Sequence, residues 1–199
     1  MSHCLLPDGF AFAADLVAIG ASAGGVDALL TLFQGLPSPL RAPVVIVLHL
    51  PPGQDSRLVD VFAMRLRLPV EEARPHAPIQ AGHVYFAPPG YHLLVEADRS
   101  FSLSCDPPVL YSRPSIDVLF ESCAEALGDR LAGMLLTGAN EDGARGLARI
   151  HARGGLTAVQ DPAEAAHPTM PSAALRLAPA DFVLPLAGLR RLLHTVVRR

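Results

Sequence analysis

Cysteine is scarce. Cys4, Cys105 and Cys123 are the three in 199 residues, odd in number and far apart. No CxxC pair and no Cys/His zinc spacing exists, which excludes a zinc ribbon and a disulfide framework. Reduced thiols in a cytoplasmic protein are the simplest expectation. Charge is sparse too: 16 Lys+Arg stand against 19 Asp+Glu, for a formal net charge of −3. The basic residues are scattered apart from Arg190-Arg191 and Arg198-Arg199. The electrostatic footprint of a nucleic-acid binder is therefore missing, and no such partner is expected. No apolar run approaches the ~20 residues of a membrane helix, so no membrane insertion is expected. The start, MSHCLLPDGFAFAA, lacks a basic region, and Pro7 and Asp8 interrupt its apolar part. It does not fit a secretory signal.

What is abundant is core material. Half of the residues are hydrophobic and 18% are charged, ample for a packed interior and contrary to disorder. The length suits one domain. Short β-branched runs at Leu16–Ile19 and Val44–Leu48 read as strands buried on both faces. Helical patterns over 26–36 and 55–68 follow them, giving a βαβα start and a parallel sheet. In the middle, 83–87 and 91–97 flank a PPG turn and 101–105 follows DRS, which predicts a small antiparallel hairpin or meander. Ser115–Leu127 reads as a helix with Ser115 as N-cap and Asp117 in its first turn. Then come strand 131–136, helix 143–152, strand 156–160, helix 172–177, strand 182–186 and helix 189–197. The predicted fold is α/β: a three-layer α/β/α sandwich around a mainly parallel sheet. Residues 1–14 are expected to be a short N-terminal extension and 15–199 the functional domain.

Ligands of open parallel sheets bind at the carboxyl ends of the strands. The first strand here ends in GASAGG with Ser22, the second in LHLPPG with His49. A later one ends in LTGANEDG with Thr137, Asn140, Glu141 and Asp142. A serine, an imidazole and a carboxylate are the parts of a hydrolytic triad. The base takes the hydroxyl proton and the carboxylate fixes the base. Gly20, Ser22 and Gly24 also satisfy the G-x-S-x-G elbow, and the amide of Ala23 could face an oxyanion. Other readings compete. Ser22 could cap a helix or belong to a phosphate cradle, Asp142 could cap the helix after it, and Thr137 could be a plain strand residue. A dinucleotide fingerprint wants glycine where Ser22 stands, and a P-loop wants a lysine this turn lacks. An α/β-hydrolase order of serine, acid, histidine would pair Asp142 with His151 or His167. Arg113 in RPSID either contacts substrate, organises loops or pairs with Asp117. Met170-Pro171 is expected in a loop beside the site, with Met170 as a substrate or loop contact or, in the competing reading, with packing as the role of the pair.

In order, GASAGG, HLPPG, FAPPGYHLLV, RPSID, LTGANEDGARGL, GG-TAVQDP and MP-AA resemble the catalytic domain of the chemotaxis receptor methylesterases, the protein-glutamate methylesterases. The resemblance runs from about Asp15 to Leu193. It implies an α/β/α sandwich and a triad of Ser22, His49 and Asp142, in that order. Backbone amides of Ala23 and Ala139 would form the oxyanion hole, and no metal or cofactor is implied. The implied activity is hydrolysis of glutamate methyl esters on the cytoplasmic helices of methyl-accepting chemoreceptors, with deamidation of receptor glutamines in many members. A receiver domain, common in the family, would need more residues than precede the first strand. The expectation is a stand-alone esterase, constitutive or controlled by a separate receiver or regulatory protein. Three letters depart from the family pattern. Ala23 stands where threonine is common, and Ala139-Asn140 where methionine and glycine are usual. The alternatives are a catalytically weakened binding or scaffold module, or an esterase for another substrate.

Overall fold

Among the described residues five strands are buried along their whole length: LVAIGA, VVIVL, VYF, LAGML and LTAVQ. Such runs need cover on both faces, and the fold supplies it. A computed structural model describes residues 6–7, 9–35, 40, 42–49 and 57–197. The strands are β1 (Phe12–Ala13), β2 (Leu16–Ala21), β3 (Val44–Leu48), β4 (Val70–Glu72), β5 (Val84–Phe86), β6 (His92–Val95), β7 (Phe101–Ser104), β8 (Leu131–Leu135), β9 (Leu156–Gln160), β10 (Phe182–Leu184) and β11 (Val196–Val197). The helices are α1 (Gly25–Leu32), α2 (Leu58–Ala63), α3 (Ile116–Leu127), α4 (Ala144–Ala152), α5 (Thr169–Leu177) and α6 (Leu186–Thr195), with a 3-10 turn at Gly128–Arg130.

Seven strands form one parallel sheet in the order β10-β9-β8-β2-β3-β5-β4. Successive side chains of a strand point to opposite faces. Val17, Ile19, Val44 and Ile46 join a core with Leu29 of α1, Phe62 of α2 and Leu192 of α6. Leu16, Ala18, Val45 and Val47 join a second core with Ile116 and Phe120 of α3, Leu147 of α4 and Ala173 of α5. That is the three-layer sandwich. From β2 the chain proceeds through α1 to β3 on one side, and from β8 through α4 to β9 on the other. The point between β2 and β8 is therefore the topological switch, where open sheets of this kind leave a crevice.

The sheet holds one strand more than the sequence patterns indicate and uses another differently. Residues 84–86 do not join the hairpin. They pair in parallel with β3 and β4, while β6 and β7 alone make the antiparallel pair. β4 carries one buried residue, Val70, in VEE, so no apolar pattern announces it. Phe12–Ala13, on the extension side of the expected boundary, pair in parallel with Val196–Val197. The helix expected over 55–68 appears as Leu58–Ala63, and residues 55 and 56 lie outside the described part. Cys105 and Cys123 are free thiols, and Cys4 is outside the described residues. Burial pushes the Cys123 thiol well above its ordinary range.

Candidate active site

Ser22 and His49 follow directly after β2 and β3. The register pairs Ala21 with Leu48, so the next residue on each strand is Ser22 on one and His49 on the other. Two hydrogen bonds carry the ladder past the strand ends: His49 N–H donates to Ala21 O at 3.1 Å and Ser22 N–H to Thr137 O at 2.9 Å. Ser22 thus sits between the ends of β3 and β8. Its side chain does not cap α1. The N-cap is Gly24, in the left-handed region at φ 76, and α1 has no side-chain cap; a side chain there would be strained. Among the described residues the Ser22 hydroxyl has no hydrogen-bond partner. Gly20 is needed for space, since a Cβ on it would lie 2.3 Å from Ile116 Cγ2. The bare backbone lets the start of α3 close over the end of β2.

Asp142 comes to the same place from the turn after β8. It is fully buried and accepts four hydrogen bonds. His49 Nε2 lies 2.8 Å from its Oδ2, and Ile116 N–H reaches the same oxygen at 2.7 Å. Ser115 Oγ–H and Asp117 N–H reach Oδ1 at 2.8 and 3.0 Å. Burial works to raise its pKa. The hydrogen bond from His49, those of the Asp117 and Ile116 amides and the charge of His49 outweigh burial, and the carboxyl lies below its ordinary value. Asp142 is therefore an anion at neutral pH, seated on the positive end of α3. The competing reading, a cap on the helix that follows it, does not hold: Asp142 caps α3. Asp117 holds α4: its Oδ1 accepts from Gly143 N–H and Gly146 N–H at 3.0 and 2.8 Å. The two helices exchange carboxylates.

The site makes one nitrogen of His49 distinct from the other. With Nε2–H held by Asp142, the lone pair lies on Nδ1, which is the nitrogen able to take a proton. His151 and His167 are not its rivals for Asp142. His151 Nδ1 is 3.9 Å from Asp181, and the His167 backbone is tied to Thr137.

The family model for the CheB methylesterase matches residues 17–193. The chain belongs to the CheB methylesterase family. A protein of Leptospira interrogans is 43% identical over 178 residues, covering 89% of this chain and 92% of its own. Relatives from Hahella chejuensis and Symbiobacterium thermophilum, each named protein-glutamate methylesterase/protein-glutamine glutaminase, are 44% and 40% identical over 89% and 86% of this chain. The chain spans about half the length of those two, 50% and 47%. The crystal structure of the Thermotoga maritima CheB methylesterase catalytic domain superposes with a TM-score of 0.87 at 29% identity, over 92% of this chain and 98% of that one.

Within this CheB methylesterase fold, the amides of Ala23 and Ala139 donate no hydrogen bond among the described residues. Thr137 is more than a strand residue. Its Oγ1–H donates to Ala23 O at 3.0 Å, with His167 O at 3.3 Å, and its own amide donates to Gln160 Oε1 at 2.8 Å. It ties the GASAGG turn to the LTG turn. Asn140 adopts no left-handed conformation. Its Oδ1 accepts from Asp142 N–H at 3.2 Å. Arg113 does not pair with Asp117, whose Oδ2 is taken by Arg145 Nε at 3.0 Å. Arg113 donates instead to the carbonyls of Cys105 and Asp106 at 2.9 and 3.1 Å, organising the loop after β7. Met170 is not in a loop. It lies in the first turn of α5, fully buried, and a Cβ on Gly138 would lie 2.5 Å from its Cε. With no exposed surface to offer a substrate, it packs under the turn that carries Ala139.

Four contributors escaped the sequence reading: Ser112, Ser115 as a donor to Asp142, His92 and Gln160. The buried His92 accepts the Ser115 amide at 3.2 Å and lies 3.2 Å from Pro107 O. Only the serine of an N-cap has a signal in the sequence. Among the described residues no three His, Cys, Asp or Glu converge to hold a metal.

Proposed function

We propose that this chain is a serine hydrolase that removes methyl esters from glutamate side chains on chemoreceptor cytoplasmic helices, in chemotaxis adaptation. Residues 15–199 are its catalytic unit. Deamidation of receptor glutamines is the same acyl transfer with ammonia leaving in place of methanol. The observation that carries the reading is the His49–Asp142 pair, in register beside Ser22, in a chain of the CheB methylesterase family. The names of the Hahella and Symbiobacterium relatives supply the substrate class.

In this mechanism Ser22 Oγ attacks the ester carbonyl carbon as its proton passes to His49 Nδ1. Asp142 stabilises the imidazolium through Nε2–H and keeps its own proton-free state. The oxyanion of the tetrahedral intermediate is held by the Ala23 and Ala139 amides, donors that need no reorganisation. Collapse breaks the bond to the methoxy oxygen, which leaves as methanol with the proton from His49. Water then attacks the acyl-serine, giving its proton to His49. The second collapse returns that proton to Ser22 Oγ and frees the glutamic acid side chain, which loses its remaining proton to water and leaves as carboxylate. Loss of the hydroxyl at Ala23 leaves this chemistry intact, because the amide is what the oxyanion needs.

Methanol release from radiolabelled, methylated receptor membranes tests the proposal. The wild type is expected to release methanol and Ser22→Ala to release none above background. A wild type inert on several receptors overturns the substrate assignment.

A further inference from the structure

The His49 ring is contacted at both nitrogens. Opposite Asp142, Nδ1 lies 3.4 Å from Ser112 Oγ. Ser112 Oγ also accepts from Asn140 Nδ2–H at 3.4 Å. Asn140 Oδ1 in turn accepts the Asp142 amide. These contacts close a ring of four residues, and donor and acceptor inventories give it one direction. A hydroxyl has one proton and two lone pairs. Asn140 fills one lone pair, so the proton points at the bare Nδ1. The sense is then Asp142 N–H to Asn140, Asn140 N–H to Ser112, Ser112 O–H to His49 Nδ1, and His49 Nε2–H to the Asp142 carboxylate. Bonds in such a directed chain polarise one another.

Ser112 is held there by a costly turn. Val109 and Ser112 exchange both backbone hydrogen bonds, Ser112 N–H to Val109 O at 2.8 Å and Val109 N–H to Ser112 O at 3.1 Å. Between them Leu110 and Tyr111 are both left-handed, at φ 47 and 65. Two bulky residues in that region are unusual. The Tyr111 side chain is fully exposed, so packing on it does not account for the turn. Strain retained next to a reactive group points to a role for what it positions.

We propose that Ser112 is a positioning residue of the hydrolase, a proposal that rests on Ser22 as nucleophile and His49 as base. In the resting enzyme its hydroxyl holds the His49 ring in plane, while Asp142 keeps the proton on Nε2. Both contacts to Ser112 Oγ are long, so the hydroxyl guides the ring without clamping it. Substrate binding lets Ser22 O–H take the Nδ1 lone pair. Ser112 then turns its free lone pair toward the Nδ1 proton of the imidazolium. It makes and breaks no covalent bond. Asn140, one of the departures from the family pattern, is the residue that aims it.

The test uses the full chain, p-nitrophenyl acetate as the small ester, and four variants. Ser112→Ala is expected to lower kcat about tenfold with KM and the melting midpoint unchanged, and Ser112→Thr to restore most of the loss. Asn140→Ala is expected to fall between Ser112→Ala and wild type. In 15N spectra of histidine-labelled protein, wild-type His49 should show one tautomer protonated at Nε2, and Ser112→Ala should keep that tautomer, held by Asp142, with the Nδ1 resonance moved to that of a nitrogen that accepts no hydroxyl. A kcat in Ser112→Ala within twofold of wild type, or above it, overturns the proposal. So does a Thr variant as slow as the Ala variant. Ser22→Ala separates this from the reading beneath it. If Ser22→Ala retains wild-type turnover, the nucleophile assignment fails; if it is inert while Ser112→Ala is unaffected, the positioning role alone fails.

Discussion

Asp142 and Asp117 are the same residue type in nearly the same setting, and they differ in what lies at their far side. Both are buried. Each accepts backbone amides at the start of the neighbour's helix, Asp142 at α3 and Asp117 at α4. Asp117 completes its shell with Arg145, a cation exposed to solvent. Asp142 completes its shell with His49, a group that can gain and lose a proton. The caps anchor both carboxylates; the ionisable side-chain partner decides whether the anchor serves stability alone or a base as well. Reciprocal capping also explains how a loop residue is held to within hydrogen-bond distance of a strand end. α3 and α4 lock each other, and Asp142 is part of the lock.

Breaking the two corners separately should separate the two roles. The largest effect is expected for Asp142→Asn: a kcat loss of about 10³–10⁴ with the fold retained, as for a triad whose base takes the wrong tautomer. Steady-state rates with circular dichroism check this. Asp117→Asn is expected to act on stability, by about 2–4 kcal/mol, because buried amides and Arg145 lose a charged acceptor. Its kcat should stay within about tenfold of wild type. Denaturant melts beside rates decide it, and a rate loss as large as that of Asp142→Asn would mean that the two carboxylates do not differ in role. The smallest effect is in acid. The folded pKa of Asp142 is lowered from 3.8, so its contribution to stability is present above the unfolded value and lost as pH falls through the folded one. The stability gap between wild type and Asp142→Asn should therefore narrow below about pH 4.

That residues 22, 49 and 142 would lie near one another could be anticipated because each comes after an apolar run that reads as a buried strand, directly for 22 and 49 and across a turn for 142, and buried parallel strands end together. That the runs 16–19, 44–48, 131–136 and 156–160 belong to a mainly parallel sheet followed from the same pattern, though their order in the sheet did not. What failed to show were features fixed by partners far along the chain. The run at 84–86 looked like half of a hairpin because PPG follows it, yet its pairing with β3 is a long-range choice with no local mark. The strand Val70–Glu72 has too little apolar pattern to be seen. Helix α5 starts at Thr169 and not at 172, since Pro171 sits in its first turn, where a missing N–H costs nothing. Asp117 could be read as a first-turn acid of its own helix, but its use by α4 could not. Ser112, Asn140 and His92 lie on loops or a short hairpin whose placement is tertiary.

In the proposed mechanism Ser22 is the hydroxyl that His49 activates, even though Ser112 is the one hydrogen-bonded to it in the resting site. Reaction with a fluorophosphonate probe, followed by peptide mapping, addresses this most directly. A single adduct on Ser22 is expected, lost in Ser22→Ala and slowed by orders of magnitude in His49→Ala. An adduct on Ser112, or labelling undiminished in Ser22→Ala, would contradict it.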